Sequence, residues 1–231
     1  MIIAVIPARG GSKRIPRKNI KSFKGKPIIA WSIDIAKKTK IFDKIIVSTD
    51  DPEIAEIARL YGAEVPFIRP REISDDLSTT VPVISHAVSE MQNLGFKVDY
   101  ACCLYPCSPF IDSKDLINGL DLLKKSSKSD YCYPVSEYVH PIQRALRRSN
   151  DGTLSFLMPK YELSRTQDLE QTFHDAGQFY WGNSQAWLEN KNMHSGAIGL
   201  PIPNWRVVDI DTSDDWVRAE IMFELMNMNR N

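Results

Sequence analysis

Apolar and polar positions along this chain follow two alternating rhythms. Ile2-Ile3-Ala4-Val5-Ile6 is a short unbroken apolar run, the pattern of a strand buried on both faces. Residues 27–40 open with Pro27 and carry Ile28, Ile29, Trp31, Ile33 and Ile35 toward a lysine-rich end, which predicts a helix. Lys44-Ile45-Ile46-Val47-Ser48-Thr49 reads as a second buried strand. Pro52 then starts a helix with Ile54, Ile57, Ala58 and Tyr61 on one face, and Gly62 stops it. The alternation continues with a short strand from Glu64 to Ile68, a helix over 79–94 and a strand from Asp99 to Tyr105. A helix over 112–125, with Asp112 as its N-cap, and a strand from Tyr131 to Val135 complete the series. This βα repetition predicts an α/β fold with a doubly wound, mostly parallel, Rossmann-like sheet.

The rhythm breaks after residue 137. Residues 137–176 hold Pro141, Pro159, Arg144, Arg147, Arg148 and several aromatics, and read as an excursion inserted into one domain spanning 1–231. Order is expected again at Gln178-Phe179-Tyr180-Trp181 and in a helix near 183–190. Gly199 to Pro203 leads into Arg206-Val207-Val208-Asp209-Ile210-Asp211. A last helix over 213–228 opens on Thr212-Ser213-Asp214-Asp215, a capping-box pattern.

Composition narrows the function classes. The 231 residues include 29 Lys+Arg and 29 Asp+Glu, so the net charge of zero disfavours a generic nucleic-acid binder. Charge is nonetheless uneven: residues 9–26 contain Arg9, Lys13, Arg14, Arg17, Lys18, Lys21, Lys24 and Lys26 and no acid. Such a cluster seeks an anion. The apolar N-terminal run is too short for a signal peptide, and no stretch approaches the roughly 20 residues of a membrane span, so no membrane association is expected. Cys102, Cys103, Cys107 and Cys132 form no CxxC pair and read as structural thiols in a reducing cytoplasm.

Four segments suggest chemistry. In parallel α/β sheets ligands bind at the carboxyl ends of strands, where the loop Ala8-Arg9-Gly10-Gly11-Ser12-Lys13-Arg14 falls. Gly10 and Gly11 permit close backbone approach, and Arg9 and Lys13 add charge, which suits a triphosphate. The loop matches neither GxxxxGK[ST] nor GxGxxG. Asp209-Ile210-Asp211 places two carboxylates on one face of an extended segment, and Mg²⁺ bridging to phosphates offsets their repulsion. Tyr105-Pro106-Cys107-Ser108-Pro109 ends a predicted strand and lines the expected cleft. Arg69-Pro70-Arg71-Glu72, with Ser78-Thr79-Thr80, adds short polar groups at its edge, though the latter also read as a helix cap. His86 is expected on a helix surface. No nucleophile–histidine arrangement emerges, and displacement at a phosphate needs none.

Assembled, these segments resemble the cytidylyltransferases that activate acidic sugars: the CMP-sialic acid synthetases and, more distantly, the 3-deoxy-manno-octulosonate cytidylyltransferases. The resemblance covers nearly the whole chain and rests on Ile6 to Lys13 with Pro16, Lys18 and Asn19, on Ile46 to Asp50, on Arg69-Pro70, on Pro106 to Pro109 and on Asp209 to Asp211. Thr172 to Trp181 resembles the pseudaminic acid branch. The resemblance implies that Ala8 to Lys13 and Lys18 hold the phosphates of CTP, with Asn19, Arg69 and Thr80 facing cytidine. It implies that Asp209 and Asp211 carry Mg²⁺ and that Arg9, Lys13 and Asp211 serve catalysis. It also implies a homodimer whose 137–176 element reaches into the partner's sugar site. Tyr105, Ser108, Arg165, His174 and Gln178 are the expected sugar contacts. Tyr105 and Ile111 stand where sialic acid synthetases usually have Gln and Arg, Gln143 where a basic residue is expected, and His174 to Gly177 where an Arg-Pro-Asn-Gly stretch is usual. These departures surround the sugar and point to pseudaminic acid, a nine-carbon 2-keto acid. A CMP-sialic or CMP-legionaminic acid synthetase is the alternative, and a non-catalytic nucleotide sensor a remote one.

Overall fold

The computed structural model describes residues 1–75 and 78–228. Its strands are β1 (Ile2–Pro7), β2 (Ser22–Phe23), β3 (Lys26–Pro27), β4 (Lys44–Ser48), β5 (Tyr100–Leu104), β6 (Tyr131–Glu137), β7 (Leu146–Arg148), β8 (Leu154–Phe156), β9 (Phe173–Asp175), β10 (Phe179–Asn183) and β11 (Ile198–Pro201). Its α-helices are α1 (Ile28–Thr39), α2 (Pro52–Leu60), α3 (Thr80–Asn93), α4 (Ser113–Lys125), α5 (Ser184–Leu188) and α6 (Ser213–Met228). Seven strands form the main sheet in the order β11-β6-β10-β5-β1-β4, with β9 antiparallel to β6. β4, β1 and β5 are mutually parallel, as are β6 and β11, while β10 runs against both β5 and β6. The fold is thus the mostly parallel α/β sheet that the sequence rhythm predicts.

β1 shows why its run is unbroken. Ile3 and Val5 pack with Ile84, Ala87 and Val88 of α3 and Trp187 of α5 on one face. Ala4 and Ile6 pack with Ile29 and Ile33 of α1 and Leu116 and Leu120 of α4 on the other. A strand covered on both sides has no polar face to alternate. From β1 the chain moves to β4 on one side and later to β5 on the other. That reversal opens a crevice beyond the carboxyl ends of β1, β4 and β5, where the segments after Pro7, Ser48 and Leu104 converge.

Gly182 on β10 is fixed by packing. A Cβ there would lie 2.4 Å from Trp187 Nε1 and 2.7 Å from Tyr131, whose rings meet edge to face at 4.8 Å. α6 closes the molecule over Phe23, Ile28 and Phe110 with Trp216, Ala219 and Phe223. Its capping box forms: the Asp215 N–H donates to Thr212 Oγ1 at 3.2 Å, and Asp215 Oδ2 accepts the Thr212 N–H at 2.9 Å.

Several elements differ from the sequence reading. Glu64 to Ile68 is no strand: it makes one parallel bridge, Ile46 to Glu64. Pro66 has no N–H to continue the ladder, and Ile68 faces solvent. The helix expected over 183–190 ends at Leu188, and Asn190 takes a left-handed turn (φ 51°) just beyond it. β11 adds a parallel strand beside β6 in a stretch given no strand from sequence. Within 137–176, β7 and β8 form a separate hairpin, whereas β9 rejoins the main sheet before Gln178. His86 is half-buried, not superficial: its ring meets Phe67 edge-on at 5.2 Å, and burial lowers its pKa.

Candidate active site

The loop after β1 is held from beneath. Ala8 is fully buried and donates its N–H to the Ser48 carbonyl at 2.9 Å. The Gly10 N–H goes to Asp50 Oδ1 at 3.2 Å, and a Cβ on Gly10 would stand 2.5 Å from Asp51 Oδ2. The glycine therefore serves close packing against Asp50-Asp51, with its own N–H engaged by Asp50, while Gly11 has open space around it. Arg17 adopts the left-handed conformation (φ 55°) and turns the chain into Lys18–Ile20. Its guanidinium grips both Asp51, with Nη2 3.0 Å from Oδ1, and Glu53. The Arg17 hydrogen bond holds the Asp51 carboxyl below the usual carboxylate range. Asp51 also caps α2 through the Ile54 N–H at 3.0 Å, so one side chain ties the loop to the following βα unit.

A cleft of about 680 Å³ opens above this loop, within the usual range for small-molecule sites. Arg9, Ser12, Lys13, Lys18 and Asn19 line it together with Arg69, Thr80, Tyr105 and Asp211. Nine of the residues singled out from sequence thus share one wall. Lys18 joins the distant carboxylate segment to the loop: its Nζ donates to the Ile210 carbonyl at 2.7 Å and lies 3.3 Å from Asp211 Oδ1. Arg14 Nη1 holds the other Asp211 oxygen at 2.9 Å. Partial burial and repulsion from Asp211 raise the Asp209 carboxyl above its ordinary value, with Lys18 opposing.

The side groups of the cleft are braced. Asn19 Nδ2 donates to the Arg9 carbonyl at 2.9 Å, and its Oδ1 accepts from the Cys107 thiol at 3.2 Å. Burial pushes that thiol up to about 12, so it stays a donor. Arg69 is buried, which pulls its pKa down, and Asp50 stands 3.9 Å away as partial compensation. Its Nε and Nη2 have no hydrogen-bond partner among the described residues. Thr80 Oγ1 and the Tyr105 hydroxyl are 2.9 Å apart.

Other expected site residues fall outside the cleft wall. Ser108 is buried behind it, its Oγ 3.4 Å from the Gly177 carbonyl. Gln178 is buried with Nε2 on the Arg206 carbonyl at 2.7 Å and Oε1 unmatched. His174 lies on β9 against Tyr138, with Nδ1 3.0 Å from the Asp175 carbonyl. Arg165 sits exposed in the excursion, paired with Asp168 at 2.7 Å. Sequence reasoning missed Arg17 and Asp51, whose pairing depends on a left-handed turn that no spacing announces. It also missed Tyr180 and Asp175, joined at 2.9 Å behind Tyr105.

Asp209 and Asp211 supply hard oxygen donors, and no cluster of three or more His, Cys, Asp or Glu suited to a metal occurs among the described residues. Two carboxylates, with phosphates and waters completing the shell, is the donor set Mg²⁺ prefers, so the residues fit that ion. A cationic loop at the switch point of a doubly wound sheet, facing a carboxylate, defines a protein class that handles phosphorylated ligands. The chain belongs to the cytidylyltransferase family, whose model matches residues 3–180, and is accordingly an enzyme. It is 40% identical over 226 residues to a pseudaminic acid cytidylyltransferase of Campylobacter jejuni, covering 96% of each chain. It is 32% identical to a CMP-N,N'-diacetyllegionaminic acid synthase of Legionella pneumophila, covering 97% of each. Among solved structures, a CMP:2-keto-3-deoxy-manno-octonic acid synthetase complexed with CTP superposes with a TM-score of 0.68 over 97% of this chain and 99% of the other at 17% identity, a likeness of fold.

Proposed function

We propose that this enzyme transfers CMP from CTP to the anomeric hydroxyl of a nine-carbon 2-keto sugar acid, pseudaminic acid, and releases pyrophosphate. The observation that carries this reading is the 40% identity to the Campylobacter jejuni enzyme along 96% of both chains. The sugar hydroxyl attacks the α-phosphorus, the new C–O–P bond forms, and the bond to the β-phosphate oxygen breaks. The hydroxyl proton leaves to solvent. Arg9 and Lys13 offset the charge that builds on departing pyrophosphate, and Lys18 ties the phosphate loop to Asp211. Asn19, Arg69 and Thr80 face cytidine, while Tyr105 faces the sugar. Asp209 and Asp211 would hold Mg²⁺, which supplies charge neutralisation and a more acidic hydroxyl when bound.

Residues 137–176 form, on this reading, the dimerisation element of a single 1–231 domain. Leu146, Leu154 and Leu163 are exposed there, and Arg165 and His174 reach the partner's sugar. The described cysteines are free, which suits a reducing cytoplasm. No helix among the described residues is long and apolar enough to cross a membrane. Incubation with CTP and pseudaminic acid should yield pyrophosphate and a product with the mass of CMP-pseudaminic acid in equal amounts. CTP binding without pyrophosphate from any sugar acid would refute the assignment in favour of a nucleotide sensor.

A further inference from the structure

We propose that Arg17, a basic residue off the cleft wall, is a positioning residue for the triphosphate: its grip on Asp51 and Glu53 holds the backbone turn that sets Lys18 and the phosphate loop toward the cleft. The inference deepens the reading above and rests on CTP occupying that cleft.

Arg9, Lys13, Arg14, Arg17 and Lys18 follow one another with no acid between them, and like charges held close repel. Arg9, Lys13, Arg14 and Lys18 line the cleft, and Arg17 does not. Its guanidinium goes to the start of α2, where it bonds Asp51, with Nη2 3.0 Å from Oδ1, and Glu53. Lys18, the next residue, goes the other way: its Nζ meets the Ile210 carbonyl at 2.7 Å and lies 3.3 Å from Asp211 Oδ1. The left-handed backbone at Arg17 (φ 55°) parts these two neighbouring cations. Any residue with a Cβ meets a steric cost in that conformation, so something must hold it there.

The side chain supplies that hold. An arginine fork on a carboxylate is strong and directional, and Asp51 is itself fixed by the Ile54 N–H at 3.0 Å as the cap of α2. The Arg17 carbonyl accepts the N–H groups of Ile20 and Lys21, each at 3.0 Å, so the orientation of its peptide passes directly into the turn that carries Lys18 and Asn19. Asn19 closes the loop on the Arg9 carbonyl at 2.9 Å. Upstream, Ile15 is buried in the same core cluster as Ile210, and the Gly10 N–H rests on Asp50. Ser12, Lys13 and Arg14 reach the cleft from between these anchors. Released from Asp51, Arg17 would leave the left-handed region and bring its charge back toward Lys18, and the loop would lose the shape that gathers its cations on one side. Arg17 thus acts on the phosphates through the loop, without lining the cleft.

The test is calorimetric titration with CTP and with CMP, without sugar, of wild type, Arg17→Asn, Asp51→Asn and the double variant, with circular dichroism as the folding control. Asparagine accepts the left-handed backbone, so Arg17→Asn removes the grip without adding strain. Asparagine also caps helices, so Asp51→Asn breaks the same pair from its other end and keeps the start of α2. Each single variant should bind CTP about 3- to 10-fold more weakly, and the double variant no more weakly than either, because the two side chains act as one unit. CMP lacks the outer phosphates, so its affinity should stay at the wild-type value. Loss of CTP and CMP affinity in equal measure would show general loosening and overturn the positioning role, as would folded variants that bind CTP like wild type. A wild type that binds no CTP overturns the cytidylyltransfer reading, and the role of Arg17 with it.

Discussion

Asp211 is held by two cations, Lys18 at 3.3 Å and Arg14 at 2.9 Å. Its position is therefore fixed by the first loop as much as by its own backbone segment. On the proposed mechanism, Asp211→Ala should lower turnover about 10²–10³-fold, the usual cost of losing one group that stabilises transition-state charge, while the circular dichroism spectrum stays unchanged. Near-normal steady-state kinetics would remove the metal assignment. Chelation with EDTA should abolish pyrophosphate release, and added Mg²⁺ should restore it. Asp51 makes a different prediction. Its carboxyl is held below the ordinary value near 4, so the folded state binds its proton less readily than the unfolded chain. Its contribution to stability is present above that value and fades as pH falls through the lower folded pKa. Thermal melts of wild type and Asp51→Asn should differ at pH 7 and converge in strong acid. A gap that stays constant as the pH is lowered through the acid range would contradict this.

Elements were legible where burial dictates pattern. β1, β4 and α1 to α4 follow from runs and faces that only a two-sided core requires. The reversal of β10 left no trace, because a central strand is apolar throughout whichever way it runs. Glu64 to Ile68 misleads for the opposite reason: its alternation resembles a strand, but Pro66 interrupts the ladder after one bridge. Packing at Gly182 was equally silent, since the need for glycine comes from Trp187 and Tyr131 at other places in the chain. Gly182→Ala should destabilise the protein by about 1–3 kcal/mol, the range for overpacking a tight core, read as a shift in urea midpoint. An unchanged midpoint would mean that Trp187 moves aside freely.

At the scale of the molecule, the cleft was legible through charge. The acid-free stretch from Arg9 to Lys26 and the distant Asp209-Ile210-Asp211 require the same ligand, and the fold brings Lys18 to Asp211. The bonds of Thr80 to Tyr105 and of Tyr180 to Asp175 were not, because bonds between side-chain hydroxyls impose no spacing on a sequence. The excursion raises the question of assembly. If its exposed leucines meet a second copy, Leu154→Asp with Leu163→Asp should shift the mass in analytical ultracentrifugation from dimer to monomer and cut sugar turnover, because Arg165 would no longer reach a partner. A wild type that sediments as a monomer would end that proposal. Selectivity for the sugar acid sets this enzyme apart from its relatives on the proposed reading. Steady-state kcat/KM with saturating CTP, measured for pseudaminic, N,N'-diacetyllegionaminic and N-acetylneuraminic acids by pyrophosphate release, tests it most directly. Pseudaminic acid should be turned over at least about ten-fold more efficiently than either of the others, a gap of about 1.4 kcal/mol in transition-state binding; equal efficiency, or a preference for another acid, would contradict it.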